Sequence, residues 1–148
     1  MSSKIIAIAD AVVTALNAAT LTQTITAARA YVPKFDLHSS TAVEVCVVPM
    51  SDDREMESRG SDAADIQIDI GIKKKLQNAV ADELAEIDAM MDFCEEIRPV
   101  LNRQRITDVE NSVCMRIRHE PIYSVEEVDG SRTFLTVMTA TFRASVDI

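Results

Sequence analysis

Ile66, Ile68, Ile70 and Ile72 alternate without a break with Gln67, Asp69, Gly71 and Lys73. Successive side chains of an extended chain point to opposite faces, so this run makes one face of a sheet apolar and leaves the other wet. A helix, turning about 100° per residue, would scatter the same four isoleucines around its circumference. A strand of this kind needs cover on one side only. The rest of the chain must therefore supply a second layer over that face.

From Asn78 the period changes. Val80, Leu84, Ile87, Met91, Cys94, Ile97 and Leu101 recur every three or four residues, which predicts a helix lying on the sheet, kinked or ended by Pro99. Near the start, Ile5, Ile8 or Ala9, Val12, Val13 and Leu16 form a second helical stripe, with Ser2 or Ser3 as its cap and Asp10, Thr14 and Asn17 outside. The β-branched stretch from Leu21 predicts a strand running towards Tyr31 and Val32, which Pro33 ends or places at an edge. Another follows from Thr41, with Val43, Val45 and Val47 facing one way, Glu44, Cys46 and Val48 the other, and Pro49 closing it. Val113, Met115 and Ile117, alternating with Cys114, Arg116 and Arg118, predict a fourth strand. Asp129-Gly130 marks a turn before the last strand, Thr133 to about Val146. The expected order is α-β-β-β-α-β-β, an α+β two-layer sandwich whose mostly antiparallel sheet carries both helices on one face. A chain of 148 residues suits one such domain spanning 1–148.

Residues Ser51 to Asp62 carry five acidic and two basic side chains and almost nothing to bury, so they predict a long polar loop at 51–63. With 15 Lys and Arg against 24 Asp and Glu, the net charge of −9 opposes ordinary duplex binding, which needs clustered cations. Three cysteines, Cys46, Cys94 and Cys114, lack the short spacings of a metal site and read as reduced and buried, with only His38 and His119 to join them. No apolar run approaches the roughly 20 residues of a membrane helix, and Asp10 would charge the centre of any leader read into the opening residues. A soluble, intracellular product without a membrane partner is expected. Three glycines, Gly60, Gly71 and Gly130, build neither a P-loop nor a dinucleotide fingerprint.

Several constellations have a chemical reading beside a structural one. Asp52, Asp53, Glu55 and Glu57 offer oxygen donors to Ca²⁺ or Mg²⁺, but the spacing fits no EF-hand, and a solvated acidic run is the simpler reading. Asp62, Asp65 and Asp69 before Lys73, Lys74 and Lys75 suggest a metal-dependent nuclease, although no acid sits two positions before any of these lysines. Cys46 or Cys114 with His119 would make a nucleophile and base; core cysteine and a surface histidine at a strand end are the alternatives. The expectation is no catalytic residue, no cofactor and no metal site. Arg98, Arg103, Arg105, Arg116, Arg118 and Arg132 gather in the C-terminal half, against Asp82, Glu83, Glu86, Asp88, Asp92, Glu95 and Glu96 on the second helix. Such two-sidedness suits head-to-tail association into a ring, or equally salt bridges within one chain.

The closing stretch, Arg132-Thr-Phe-Leu-Thr-Val-Met-Thr-Ala-Thr-Phe-Arg143, resembles the last strand of tail-terminator, tail-completion and neck proteins of long-tailed bacteriophages. The order of elements is also similar to theirs, including the polar segment between the second and third strands. The resemblance implies a non-enzymatic virion subunit, assembled in the host cytoplasm, that forms a homo-oligomeric ring, usually hexameric, at the head-proximal end of the tail. Its partners would be the tail tube protein and the head-tail connector or stopper proteins, with DNA passing through unbound. In that picture Asp52, Asp53, Arg54, Glu55, Met56, Glu57 and Arg59 face a partner or the lumen, with Met56 as the contact tip. A cellular adaptor domain and a small metal-dependent nuclease or hydrolase remain the alternatives.

Overall fold

The computed structural model describes residues 4–21, 25–31, 43–75, 83–101, 112–119 and 133–147. Its elements are α1 (Lys4–Ala18), β1 (Ile25–Arg29), β2 (Val43–Ser58), β3 (Ser61–Lys75), α2 (Glu83–Leu101), β4 (Ser112–Arg118) and β5 (Thr133–Asp147). The order is the one the periodicities predict. One five-stranded sheet runs β1-β2-β3-β5-β4, with β1 parallel to β2 and every other neighbour antiparallel. The isoleucine-rich β3 holds the middle.

Both helices cover one face. Val43, Val45 and Val47, all four isoleucines of β3, and Phe134, Met138, Ala140 and Phe142 of β5 point into a single core. From the other layer come Ile8, Val12 and Leu16 of α1 and Met90, Phe93, Cys94, Ile97 and Leu101 of α2. Asn17, on the outer side of the α1 stripe, finishes the β1 edge. Its amide donates to the Ala27 carbonyl at 3.1 Å and accepts from the Ala27 N–H at 2.9 Å, as a neighbouring strand would. Asp10 accepts from Arg29 Nε at 2.7 Å, and the Arg29 guanidinium lies 5.4 Å from the Tyr31 ring centre, so α1 is tied to the end of β1 as well.

Four expectations need correction. Residues 51–58 and 61–63 are strand, and only Arg59 and Gly60 turn the chain. Polar side chains do not prevent pairing here, because β3 and β5 continue together to Ser61 and Asp147 and give β2 a ladder to extend along. Pro49 does not stop β2. It lies just beyond the last β1 partner, Val47, and beside a bulge at Met50, the two settings in which a strand tolerates proline.

The apolar phase of α2 also differs. Leu84 is 73% exposed while Met90 and Phe93 are fully buried, and Glu86 turns inward, so the acidic outer face is carried by Asp88, Asp92, Glu95 and Glu96. Finally, β4 does not alternate regularly. A bulge at Met115 puts Cys114 and Ile117 on the helix side and Arg116 and Arg118 on the open side, and leaves Met115 57% exposed. The predicted cap at Ser2 or Ser3, Val80, Asp82, His38, the Asp129-Gly130 turn and Arg103, Arg105 and Arg132 lie outside the described residues.

Candidate assembly surface

Beyond β1 the β2 edge of the sheet is bare, and β2 from Ser51 with the paired ends of β3 and β5 forms an arm that closes at the Arg59-Gly60 turn, flanked by β4 only as far as Ser112 opposite Ala144. Strand alternation divides the acidic segment between its two sides. The bulge at Met50 sets the phase, so that Asp52, Arg54 and Met56 pair with Ile66, Ala64 and Asp62 on the helix side. Asp53 and Glu55 pair with Asp65 and Ala63 on the open side.

Each side has its own bonding. On the helix side Arg54 donates through Nε and Nη2 to the two oxygens of Asp52, at 3.1 and 3.0 Å. Met56 projects beyond this pair, 77% exposed. On the open side Arg143 donates to both oxygens of Asp65, at 3.0 and 3.2 Å, which holds that carboxyl below its ordinary range. Glu57 accepts from the hydroxyls of Ser61 and Ser145, at 3.2 and 2.9 Å. Asp53 and Glu55 make no side-chain hydrogen bond among the described residues. The open side of the arm therefore presents Asp53, Glu55 and Glu57 with Asp65 already neutralised by Arg143. Of the seven predicted contact residues, Asp52 and Arg54 satisfy each other, Glu57 is bonded within the arm, and Asp53, Glu55, Met56 and Arg59 are exposed.

The open face carries the opposite sign at the far edge. Gln67 on β3, Thr139 and Thr141 on β5, and Arg116 and Arg118 on β4 line a concavity of about 290 Å³. Register explains the grouping, since Gln67, Thr141 and Arg116 occupy one cross-strand row, and Asp69, Thr139 and Arg118 another. Thr139 donates to Asp69 at 2.8 Å at the rim. Alternation in the sequence sets Arg116 and Arg118 opposite Ile117, but only the pairing of β3, β5 and β4 brings them beside Gln67, Thr139 and Thr141.

The nuclease arrangement does not assemble. Asp62 faces the helix side, Asp65 is clamped by Arg143, and Asp69 accepts from Thr139, so the three carboxylates do not converge. Among the described residues no three His, Cys, Asp or Glu side chains converge on a metal position. All three cysteines are free and buried, and burial pushes the Cys94 thiol up to about 12, with Glu95 adding to the effect. His119 is less exposed than a strand-end residue would suggest: Nε2 lies 2.6 Å from the hydroxyl of the buried Thr136. Of the ion pairs Arg29–Asp10, Arg54–Asp52, Arg98–Glu95 and Arg143–Asp65, none links α2 to the sheet.

The fold has a solved counterpart. A chain from a structure described as the virion of a native gene transfer agent particle superposes with a TM-score of 0.54 at 15% sequence identity, covering 100% of both chains. No family model matches the sequence, and no curated protein does either. At that identity the likeness establishes the shared fold. The acidic arm and the arginine basket are features of this chain's own residues.

Proposed function

We propose that this chain is a structural virion subunit, forming a ring at the head-proximal end of a phage tail as tail terminator or neck component. It joins the tail tube to the head connector around the DNA channel and makes or breaks no bond. The observation that carries this reading is the end-to-end correspondence with a virion chain, covering 100% of both chains. The likeness of the closing strand to phage tail and neck proteins points the same way. A net charge of −9 suits a passage through which DNA must slide without adhering, because acidic walls repel phosphates.

In this picture the arm of 51–62 is the docking element and Met56 its tip, a flexible apolar side chain suited to an adaptable contact. The test has two parts. Mass spectrometry of purified particles should find the polypeptide, and its absence refutes the proposal. Recombinant protein mixed with tail tubes should cap their ends in negative-stain images, and a Met56→Asp variant should fold but no longer cap; unchanged capping removes the arm's role.

A further inference from the structure

The open face of this sheet has a cation-rich basket at one edge and an acidic arm at the other. We propose that the arm of one copy docks in the basket of the next, Asp53 and Glu55 meeting Arg116 and Arg118 of a second copy of this chain. The inference rests on the ring reading above and specifies its interface.

Distance excludes the alternative that these groups serve each other within one chain. Asp53 and Glu55 lie on the rows of Asp65 and Ala63, two and four residues of β3 beyond the Gln67 row that holds Arg116. At about 3.3 Å per residue that is roughly 7 and 13 Å along the strands. From β2 to β4 there are three strand spacings, or about 14 Å across the sheet. The backbone separations are then about 16 and 19 Å, along a face where Arg143 and Asp65 already bind each other.

The chemistry is complementary. Two guanidiniums, the Thr141 hydroxyl and a glutamine amide line the basket with groups able to donate hydrogen bonds to oxygen, while the Thr139 hydroxyl is given to Asp69. Arginine pairs carboxylates through its planar fork more specifically than lysine does. Asp53 and Glu55 are exposed carboxylates with no side-chain hydrogen bond among the described residues, Glu55 within electrostatic reach of Arg143, whereas Glu57 is hydrogen-bonded to Ser61 and Ser145. With acids and arginines on opposite edges, a head-to-tail contact is heterologous, the kind that builds a ring when its rotation closes. The bulges lend geometric support. Met50 on the β2 edge and Met115 on the β4 edge flank the same cross-strand row, through Gln67 and Thr141, and are 56% and 57% exposed. Each copy therefore offers an apolar contact beside the charged one at both edges.

Charge reversal tests the interface, read by sedimentation velocity at low salt with circular dichroism as the folding control. Wild-type protein should sediment as an oligomer that weakens as salt rises. Arg116→Glu with Arg118→Glu, or Asp53→Lys with Glu55→Lys, should each drop it to the 16.3 kDa monomer. Combining all four substitutions in one chain should restore the oligomer. Should a reversal unfold the chain, Arg116→Gln with Asp53→Asn reads the same contact without inserting a repulsive charge. An oligomer indifferent to these substitutions overturns the arm-to-basket contact and leaves the ring reading standing. A wild-type chain monomeric at every concentration overturns the contact too, while detection in purified particles still decides virion membership separately.

Discussion

Replacing Ile70 by Ala probes the two-sidedness of the sheet. Ile70 sits on the central strand, opposite Val47 on β2 and Met138 on β5, and all three are fully buried on the helix side. Truncation removes the buried carbons and leaves a cavity that strands on both sides hold open. Large-to-small changes of this kind cost about 2–5 kcal/mol, and a site walled by two strands and a helix layer belongs in the upper half, about 3–5 kcal/mol. For a chain of this size that lowers the melting temperature by roughly 6–20 °C. Ile70→Val should cost about 0.5–1.5 kcal/mol. The control is Val137→Ala on the open face, opposite Gly71 and 39% exposed, where about 1 kcal/mol or less is at stake. Urea unfolding followed by circular dichroism, with an unchanged denaturant slope, gives both values. If Ile70→Ala costs no more than Val137→Ala, the assignment of the buried face is wrong.

Asn17→Ala should destabilise by about 1–3 kcal/mol, because both backbone groups of Ala27 lose their partner; Asn17→Asp should also destabilise, since its carboxylate oxygen meets the Ala27 carbonyl in place of a donor. Equal unfolding midpoints for wild type and Asn17→Ala would refute this. The Asp65 carboxyl is held below its unfolded value, so its contribution is present above the ordinary carboxylate range and is lost as pH falls through the folded value. Wild type should therefore exceed Asp65→Asn in stability at about pH 7, with the difference vanishing at about pH 2, and a gap that grows in acid contradicts the assignment. Cys94, raised to about 12, should resist a maleimide at neutral pH in folded protein and react in denaturant. Rapid labelling of Cys94 in native buffer would show that α2 opens readily from the sheet.

Much of the fold is legible in the residues because burial on one face leaves a periodic trace. The isoleucines of β3, the stripe of α1 and the change of period into α2 are such traces, and from them the order of elements follows. The first turns of α2 are less readable. Leu84 and Glu86 are assigned by hydrophobicity to the wrong sides, since only the tertiary contact decides which arc of a short amphipathic turn meets the sheet. The segment 51–58 is misread for a related reason. Composition distinguishes solvated from buried residues, but strand formation at an exposed arm depends on pairing: 51–58 pairs with β3 across the Arg59-Gly60 turn, and β3 is held in turn by β5, whose Ser145 bonds Glu57 across 88 positions.

The candidate surface was legible only in its charges. Asp53 and Glu55 are visible in the sequence as acids, and Arg116 and Arg118 as bases, yet nothing in their spacing tells which share a face. Two single-residue bulges decide that. Without the extra residue at Met50, the arm acids would exchange sides, placing Asp52 on the open face and Asp53 over the helices. Without the one at Met115, either Cys114 or the two arginines would face the wrong way. A bulge is a local choice with a global result, because every side chain beyond it changes face. Both occur at the same level of the sheet, on opposite edges, and each leaves a methionine exposed there. Bulges are a usual device for turning a sheet edge away from indiscriminate pairing. Here they also bring the acids of one edge and the arginines of the other onto a common face, the arrangement a head-to-tail contact between identical copies requires.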